Sequence, residues 1–418
     1  MTRRNLLSRG VGWGAMESLR ELFRIGAGPS SSHTMGPKKA AQIYKERYPE
    51  AMSFRATLYG SLAATGKGHL TDAAIIQAMA PANVAIVWRE NEVLPEHPNG
   101  MRFDVMDGGE VQAESAWVVY SIGGGALRIP GESRGMVQHV YEETSLEEIL
   151  LWCVHNGKPL WEYVREREEP EVWEYLGEVW GVMQRALYRG LKMEGLIDDG
   201  LKLERKARNF YLKAKRGSVG SQRNGILSSY ALAVSEENAS GGEIVTAPTC
   251  GSCGILPAVL SFLSDYGEAQ EDDIIKGLAT AGLIGNLIKT NASISGAQVG
   301  CQGEVGSACA MASAAASQMM GGSLAQIEYA AEMGLEHHLG LTCDPVAGLV
   351  QIPCIERNAF AATRALDCAD YSLLSDGRHR ITFDEVVETM RQTGIDMNSS
   401  YRETAMGGLA RVYRPVAW

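Results

Sequence analysis

Gly300-Cys301-Gln302-Gly303-Glu304-Val305-Gly306 sets one thiol between glycines, and Thr342-Cys343-Asp344-Pro345 and Ile352-Pro353-Cys354-Ile355 set two more in short turns punctuated by proline. The sequence around them, from about 277 to 317, is crowded with Gly, Ala and Ser, so helices there can approach closely. Asn286, Lys289, Asn291 and Gln298 interrupt that run, which favours a buried soluble bundle over a membrane span. Thiols at 301, 343 and 354 do not have zinc-finger spacing. Should three thiolates converge on an iron–sulfur cube, three irons are tied to protein and the fourth is left open as a Lewis acid toward a substrate oxygen. Free cysteine is also among the most buried residue types, so spacing alone leaves cluster ligation and ordinary core cysteines equally open.

Outward from these turns the pattern is helical. Leu176, Val179, Trp180, Met183 and Leu187 form one stripe after Trp173, and residues 222–235, 274–290, 305–320 and 323–338 also read as helices. Ser323 with Gln326, and Thr382 with Glu385, have the spacing of helix-opening caps. Upstream the period changes. Strands are expected over Phe54–Tyr59 and Val84–Trp88 and near 102–105 and 115–122, with a helix over Thr71–Met79 between the first two. Residues 16–25 pattern as a short amphipathic helix with Leu19, Leu22 and Phe23 on one side, and Ser145 opens another helix running to about Val154. Gly123-Gly124-Gly125 lacks the lysine and hydroxyl of a phosphate loop and reads as a turn. The charged stretch Arg165–Glu171, with Pro170 inside it, reads as an exposed connection.

The expected fold class is therefore α+β: an N-terminal α/β domain over 16–150, a linker over 151–172, and a mostly α-helical C-terminal domain over 173–418. Residues 1–15 read as an extension outside the fold. Their Thr2-Arg3-Arg4 resembles the start of a twin-arginine signal, but no apolar stretch follows before Met16.

Composition narrows the function. A formal charge of −11 argues against binding a phosphate backbone, so no nucleic-acid partner is expected. No apolar run is long enough to span a bilayer, so no membrane partner is expected either. Eight cysteines in 418 residues do not make a disulfide scaffold and fit thiols or metal ligands in a reducing, cytoplasmic setting.

Three motifs of the N-terminal half carry candidate chemistry. Ser30-Ser31-Ser32-His33-Thr34 precedes Pro37 and a helix-prone run, which puts four hydroxyls and an imidazole at a helix N-terminus suited to a small anion such as a carboxylate. In Thr65-Gly66-Lys67-Gly68-His69 the glycines allow close backbone approach and His69 titrates near working pH, so it is the first candidate for a general base, with His33 second. Lys67 is a candidate partner for a carboxylate, and His97 and Asn99, in His97-Pro98-Asn99-Gly100, for orienting a substrate. Cys250-Gly251-Ser252-Cys253 is either a metal or redox pair or a tight turn before a helix, and the turn is the preferred reading.

Residues 291–312 and 339–358, with Gly28–Thr34, Tyr59–Leu62, Thr65–His69, His97–Gly100 and Thr246–Thr249, closely resemble the signature segments of the iron–sulfur-dependent L-serine dehydratases, or L-serine ammonia-lyases. The resemblance runs from about Met16 to the end of the chain. It implies a [4Fe-4S] cluster held by Cys301, Cys343 and Cys354, with an N-terminal domain that binds L-serine through Ser30, Ser31, Ser32, Thr34, His97 and Asn99. It also implies β-elimination of water with His69, His33 and Lys67 as catalytic groups, giving pyruvate and ammonia; a homodimer is expected. Cluster-dependent cysteine desulfidase or threonine dehydratase is the nearest alternative, and an amino-acid-binding protein with a structural metal is the alternative of another class.

Overall fold

A computed structural model describes residues 16–131, 139–197 and 200–415; the expected extension over 1–15 lies outside them. A mixed sheet near the N-terminus orders its strands as Asn83–Arg89, Ser53–Tyr59, Gly100–Asp107, Trp117–Ser121 and Leu127–Arg128, with Glu110–Val111 paired to the third. Only the first two run parallel, in register from Ser53↔Asn83 to Tyr59↔Arg89; the other pairs are antiparallel. A parallel pair needs a crossover, and helices Gly60–Thr65 and Thr71–Met79 supply it.

Helix Gly36–Arg47 closes the core of this layer. Its Tyr44 stacks on Phe103 and Trp117 and meets Phe54 edge-on, with ring centroids 5.4, 5.8 and 5.8 Å away. The Tyr44 hydroxyl donates to the Ser115 carbonyl at 2.7 Å, so burying the ring leaves no polar atom unpaid.

The rest is mostly helical, with two small two-stranded sheets, and holds a second, larger core. Helices Glu271–Asn291 and Val305–Met319 lie at its centre, and in the latter Val305 through Ser317 are all buried. Its run of Ala, Ser and Gly permits this: Gly334 of the neighbouring helix Leu324–Glu336 has room for no side chain, since a Cβ there would stand 2.9 Å from Ala310 Cα. Helices Val219–Ala239, Ile255–Tyr266 and Cys354–Leu373 surround this centre. Among the described residues no helix is long and apolar enough to cross a membrane.

Two expectations differ from what is found. Residues 16–25 form a two-residue strand, Met16–Glu17, paired with His139–Tyr141, and a single 3₁₀ turn, Leu19–Glu21. The Glu168 carboxylate explains the short turn: it accepts from Ser18 Oγ (2.7 Å), the Leu19 amide (2.7 Å) and the Tyr141 hydroxyl (2.8 Å). Leu19, Leu22 and Phe23 then pack into the helical core rather than against the sheet. The stretch 151–172, expected as a linker, holds the end of helix Leu146–Asn156, all of Leu160–Arg167 and the start of Glu171–Lys192. Apart from the buried Glu168, its charges lie on outer or half-buried faces while Leu160, Tyr163 and Val164 are buried.

Candidate active site

The loops at one end of the sheet meet the thiol-bearing turns of the helical core. Gly68 makes this possible, because a Cβ at that position would stand 2.8 Å from the Gly348 carbonyl oxygen and 2.9 Å from that of Ala347. Gly348 answers with φ +68°, a left-handed conformation that favours glycine, and faces Thr65. The Thr65–His69 segment thereby docks on the loop between Cys343 and Cys354.

On the sheet side the hydroxyl-rich segment forms one wide π-type turn, Ser31–Met35, ahead of helix Gly36–Arg47. Ser30 Oγ accepts from the His33 amide at 3.1 Å, and Thr34 Oγ1 accepts from the Ser30 amide and donates to the His69 carbonyl. These two hydroxyls therefore build the turn. Ser32 Oγ lies 2.9 Å from His33 Nδ1 and Ser61 Oγ 3.2 Å from His33 Nε2. Since Ser61 spends its proton on the Glu403 carbonyl (2.7 Å), His33 Nε2 is the donor and Nδ1 the acceptor.

His69 is different. Its ring lies 4.5 Å from that of His33, centroid to centroid, and neither nitrogen has a hydrogen-bond partner of good geometry among the described residues. Asn99 is equally bare, with both side-chain polar atoms buried and unpartnered among the described residues, while its amide donates to His97 Nδ1 at 3.0 Å. Burial holds all three imidazoles in the neutral form. It lowers His33 to about 4 against the pull of Ser61, brings His97 to about 3 with help from Arg128 and His33, and takes His69 well below the usual range with His33 adding to the effect. Lys67 does not join them; it is exposed, its amine 5.5 Å over the Trp88 ring.

On the helical side the three thiols feel one another. Burial pushes Cys343 and Cys354 well above the ordinary thiol range, with Cys301 adding to both shifts, and burial raises Cys301 to about 11. Arg357 is the cation beside them: it favours the thiolates of Cys301 and Cys354 and donates to the Thr342 carbonyl at 2.6 Å. Asp344 turns away to the chain, accepting from the Leu409 amide at 2.7 Å. Cys250 borders the site, its Sγ 3.5 Å from Met35 Sδ.

Two carboxyls complete this side. Glu304 accepts from Thr249 Oγ1 at 2.8 Å through Oε1, and its Oε2 receives the Cys343 thiol at 3.9 Å. Glu403 is brought in by its backbone: Tyr401 O accepts from the Cys343 amide and Cys343 O accepts from the Glu403 amide, each at 2.8 Å, so the tail segment lies alongside the thiol. Glu403 Oε1 lies 3.3 Å from His33 Nδ1. Burial raises both carboxyls, and for Glu403 the charge of Glu304 adds to the shift while the Ala297 amide opposes it. With burial driving imidazole and carboxyl both toward the neutral form, the 3.3 Å His33–Glu403 contact is not held as an ion pair.

Sequence reading passed over Glu403 because it lies sixty residues beyond Cys343, in a polar segment with no periodicity or metal-ligand spacing of its own. Yet among the described residues the one set of three ligand groups whose atoms all lie within 4.8 Å of one another is His33, His69 and Glu403. The three thiols are spaced more widely than that.

Residues 52–410 match the family described as serine dehydratase alpha chain, and residues 18–85 that described as serine dehydratase beta chain. The chain is 41% identical over 450 aligned residues to the L-serine dehydratase of Streptomyces coelicolor, covering 94% of this chain and 98% of that protein. It is 41% identical over 451 residues to L-serine dehydratase 1 of Escherichia coli, covering 94% and 99%. With the L-serine dehydratase of Helicobacter pylori the identity is 33%, covering 95% and 99%.

Proposed function

The chain belongs to the serine dehydratase family, and from that premise we propose that it is an L-serine ammonia-lyase working in a reducing, cytoplasmic setting. The observation that carries the reading is the docking of the segment that bears an unpartnered buried imidazole, His69, on turns whose three thiols influence one another. Relatives over nearly the whole chain bear the name of that activity.

Cys301, Cys343 and Cys354 would hold a [4Fe-4S] cluster. Their sulfurs influence one another but are not all within 4.8 Å, a spacing too wide for one tetrahedral zinc, whose sulfurs sit about 3.8 Å apart at a Zn–S distance of about 2.3 Å, and one that leaves room for a multi-iron group. A cluster bound there supplies a Lewis acid for the β-hydroxyl of serine through the iron that no cysteine claims.

The chain's own residues do the rest. Asn99, whose side-chain NH₂ is free to donate, and Ser31 of the turn hold the carboxylate. His69, neutral at working pH, takes the α-proton as the C–O bond breaks and hands it on to the departing oxygen, which leaves as water and returns the imidazole to its neutral form. His33 is less suited to that task because both its nitrogens are engaged; it orients Ser61 and Glu403 instead. Burial of His33, His69, His97 and Asn99 keeps bulk water from the carbon that loses its proton. The product, 2-aminoacrylate, takes up water after release to give pyruvate and ammonia.

Iron and acid-labile sulfide measured on protein purified without oxygen, alongside a pyruvate assay, test the reading. About four irons per chain with pyruvate from L-serine is the expected result. Colourless protein holding one zinc and releasing no pyruvate would overturn it.

A further inference from the structure

An amino acid brings a cation as well as an anion into this site, and nothing above receives the cation. Two carboxyls stand where the imidazoles and the thiols meet: Glu403, buried beside His33 and His69, and Glu304, half-buried beside Cys343. Glu304 has given one oxygen to Thr249. Glu403 keeps Oε2 without a hydrogen-bond partner among the described residues, in a side chain only 5% exposed. An acceptor oxygen left bare in a buried site costs free energy unless a ligand supplies its donor.

The position is built with care. Glu403 has φ +56°, the left-handed region a non-glycine residue adopts only where its surroundings hold it. Its amide bond to Cys343 O and its carbonyl bond from Ser61 supply that hold from both sides of the interface. Gly296 leaves open the space in front: a Cβ there would stand 2.8 Å from Glu304 Oε2, 3.1 Å from Cys343 Sγ and 3.3 Å from Glu403 Oε2.

Substrate dimensions select the same residue. In serine the ammonium nitrogen is one bond from the carbon that loses its proton and three from the β-oxygen. Its receptor must then lie beside the base and beside the thiols at once. Glu403 does both, with a carboxyl oxygen within 4.8 Å of ligand atoms on His33 and His69 and its backbone paired to Cys343.

We infer that Glu403 is the receptor for the substrate's α-ammonium group, with Glu304 as the second acceptor, and that it makes the site select amino acids over acids that lack the amine. This rests on the dehydratase reading above. A desamino acid would enter without a donor for Glu403 Oε2, leaving that buried oxygen bare, so it should bind poorly.

The test is direct binding by calorimetry on oxygen-free holoprotein, using L-alanine, which has no leaving group, and propanoate, which also lacks the amine. Wild-type protein should bind L-alanine at least tenfold more tightly than propanoate. Glu403→Gln should lose about tenfold or more for L-alanine and stay within about twofold for propanoate, with iron content unchanged. Equal losses for both ligands, or none, overturn the inference. If the variant fails to hold iron, the wild-type contrast still decides, since equal affinities there overturn it too. Pyruvate formation by wild type is scored separately: its absence sinks the dehydratase reading, whereas an active wild type indifferent to the amine sinks only the role of Glu403.

Discussion

The two halves of the site reach neutrality from opposite directions. On the sheet side burial strips protons from His33, His69 and His97; on the thiol side burial keeps them on Cys301, Cys343, Cys354, Glu304 and Glu403. The reason is the same for both, since low dielectric disfavours whichever form is charged. The consequences differ. A neutral imidazole is already a base, so the sheet side is ready as it stands. A neutral thiol is a poor ligand and a neutral carboxyl a poor ammonium acceptor, so the thiol side needs positive charge beyond Arg357 before it can work. Iron and the substrate amine are cations of the kind that would supply it.

The most severe way to break this contrast is to remove a thiol. Alanine at Cys301, Cys343 or Cys354 should abolish iron binding and lower pyruvate formation by about a thousandfold or more, because several kcal/mol of transition-state stabilisation leave with the Lewis acid. Iron analysis and turnover on the same sample check it, and full iron with full turnover in any one variant would refute the ligand assignment.

Removing the base should separate the halves. His69→Gln is expected to cost about 10²- to 10⁴-fold in kcat while iron content stays at the wild-type level. The same substitution at His33 should cost less, since its nitrogens are taken up by Ser32 and Ser61. A larger loss at His33 than at His69 would reverse the two roles.

A milder change sharpens the substrate-binding part. Asn99→Ala takes away a donor and an acceptor that have no other partner among the described residues, so KM for L-serine should rise about tenfold with kcat little altered. Initial-rate kinetics over a range of serine concentrations read this out, and an unchanged KM removes Asn99 from the substrate contacts.

The smallest expected effect tests the burial argument away from the interface. Glu236 is 1% exposed and accepts from the Lys206 and Ala207 amides, yet burial raises its carboxyl from 4.5 to about 7. The folded state holds this proton where the unfolded chain does not, so its contribution to stability is complete below about pH 4.5 and is lost as pH rises through about 7. Glu236→Gln cannot lose a proton. Relative to wild type it should gain about 1–2 kcal/mol between pH 5 and pH 8, measured by denaturant unfolding at both values. A pH-independent difference would show that burial does not shift this carboxyl.

Much of this architecture is legible in the chain. The alternating strand at 54–59, the short apolar strand at 84–88 and the capped helices opened by Ser145, Ser323 and Thr382 lie where local pattern places them, because caps and amphipathic faces are chosen by neighbouring residues. Residues 16–25 do not, since the Glu168 carboxylate that holds the start of their turn lies about 150 positions away and no local pattern can announce it.

The candidate site divides in the same way. Residue types and motif spacing by themselves marked the three thiols, the hydroxyl-rich turn and His69, because glycine-flanked histidine and punctuated cysteine are local features. Only the tertiary structure decided that His69 is bare while His33 is engaged, that Lys67 faces away, and that Glu403 stands between imidazoles and thiols. Which hydrogen bonds a buried group makes, and which it is left wanting, depends on partners brought together from distant parts of the chain, and that is settled by packing rather than by sequence neighbours.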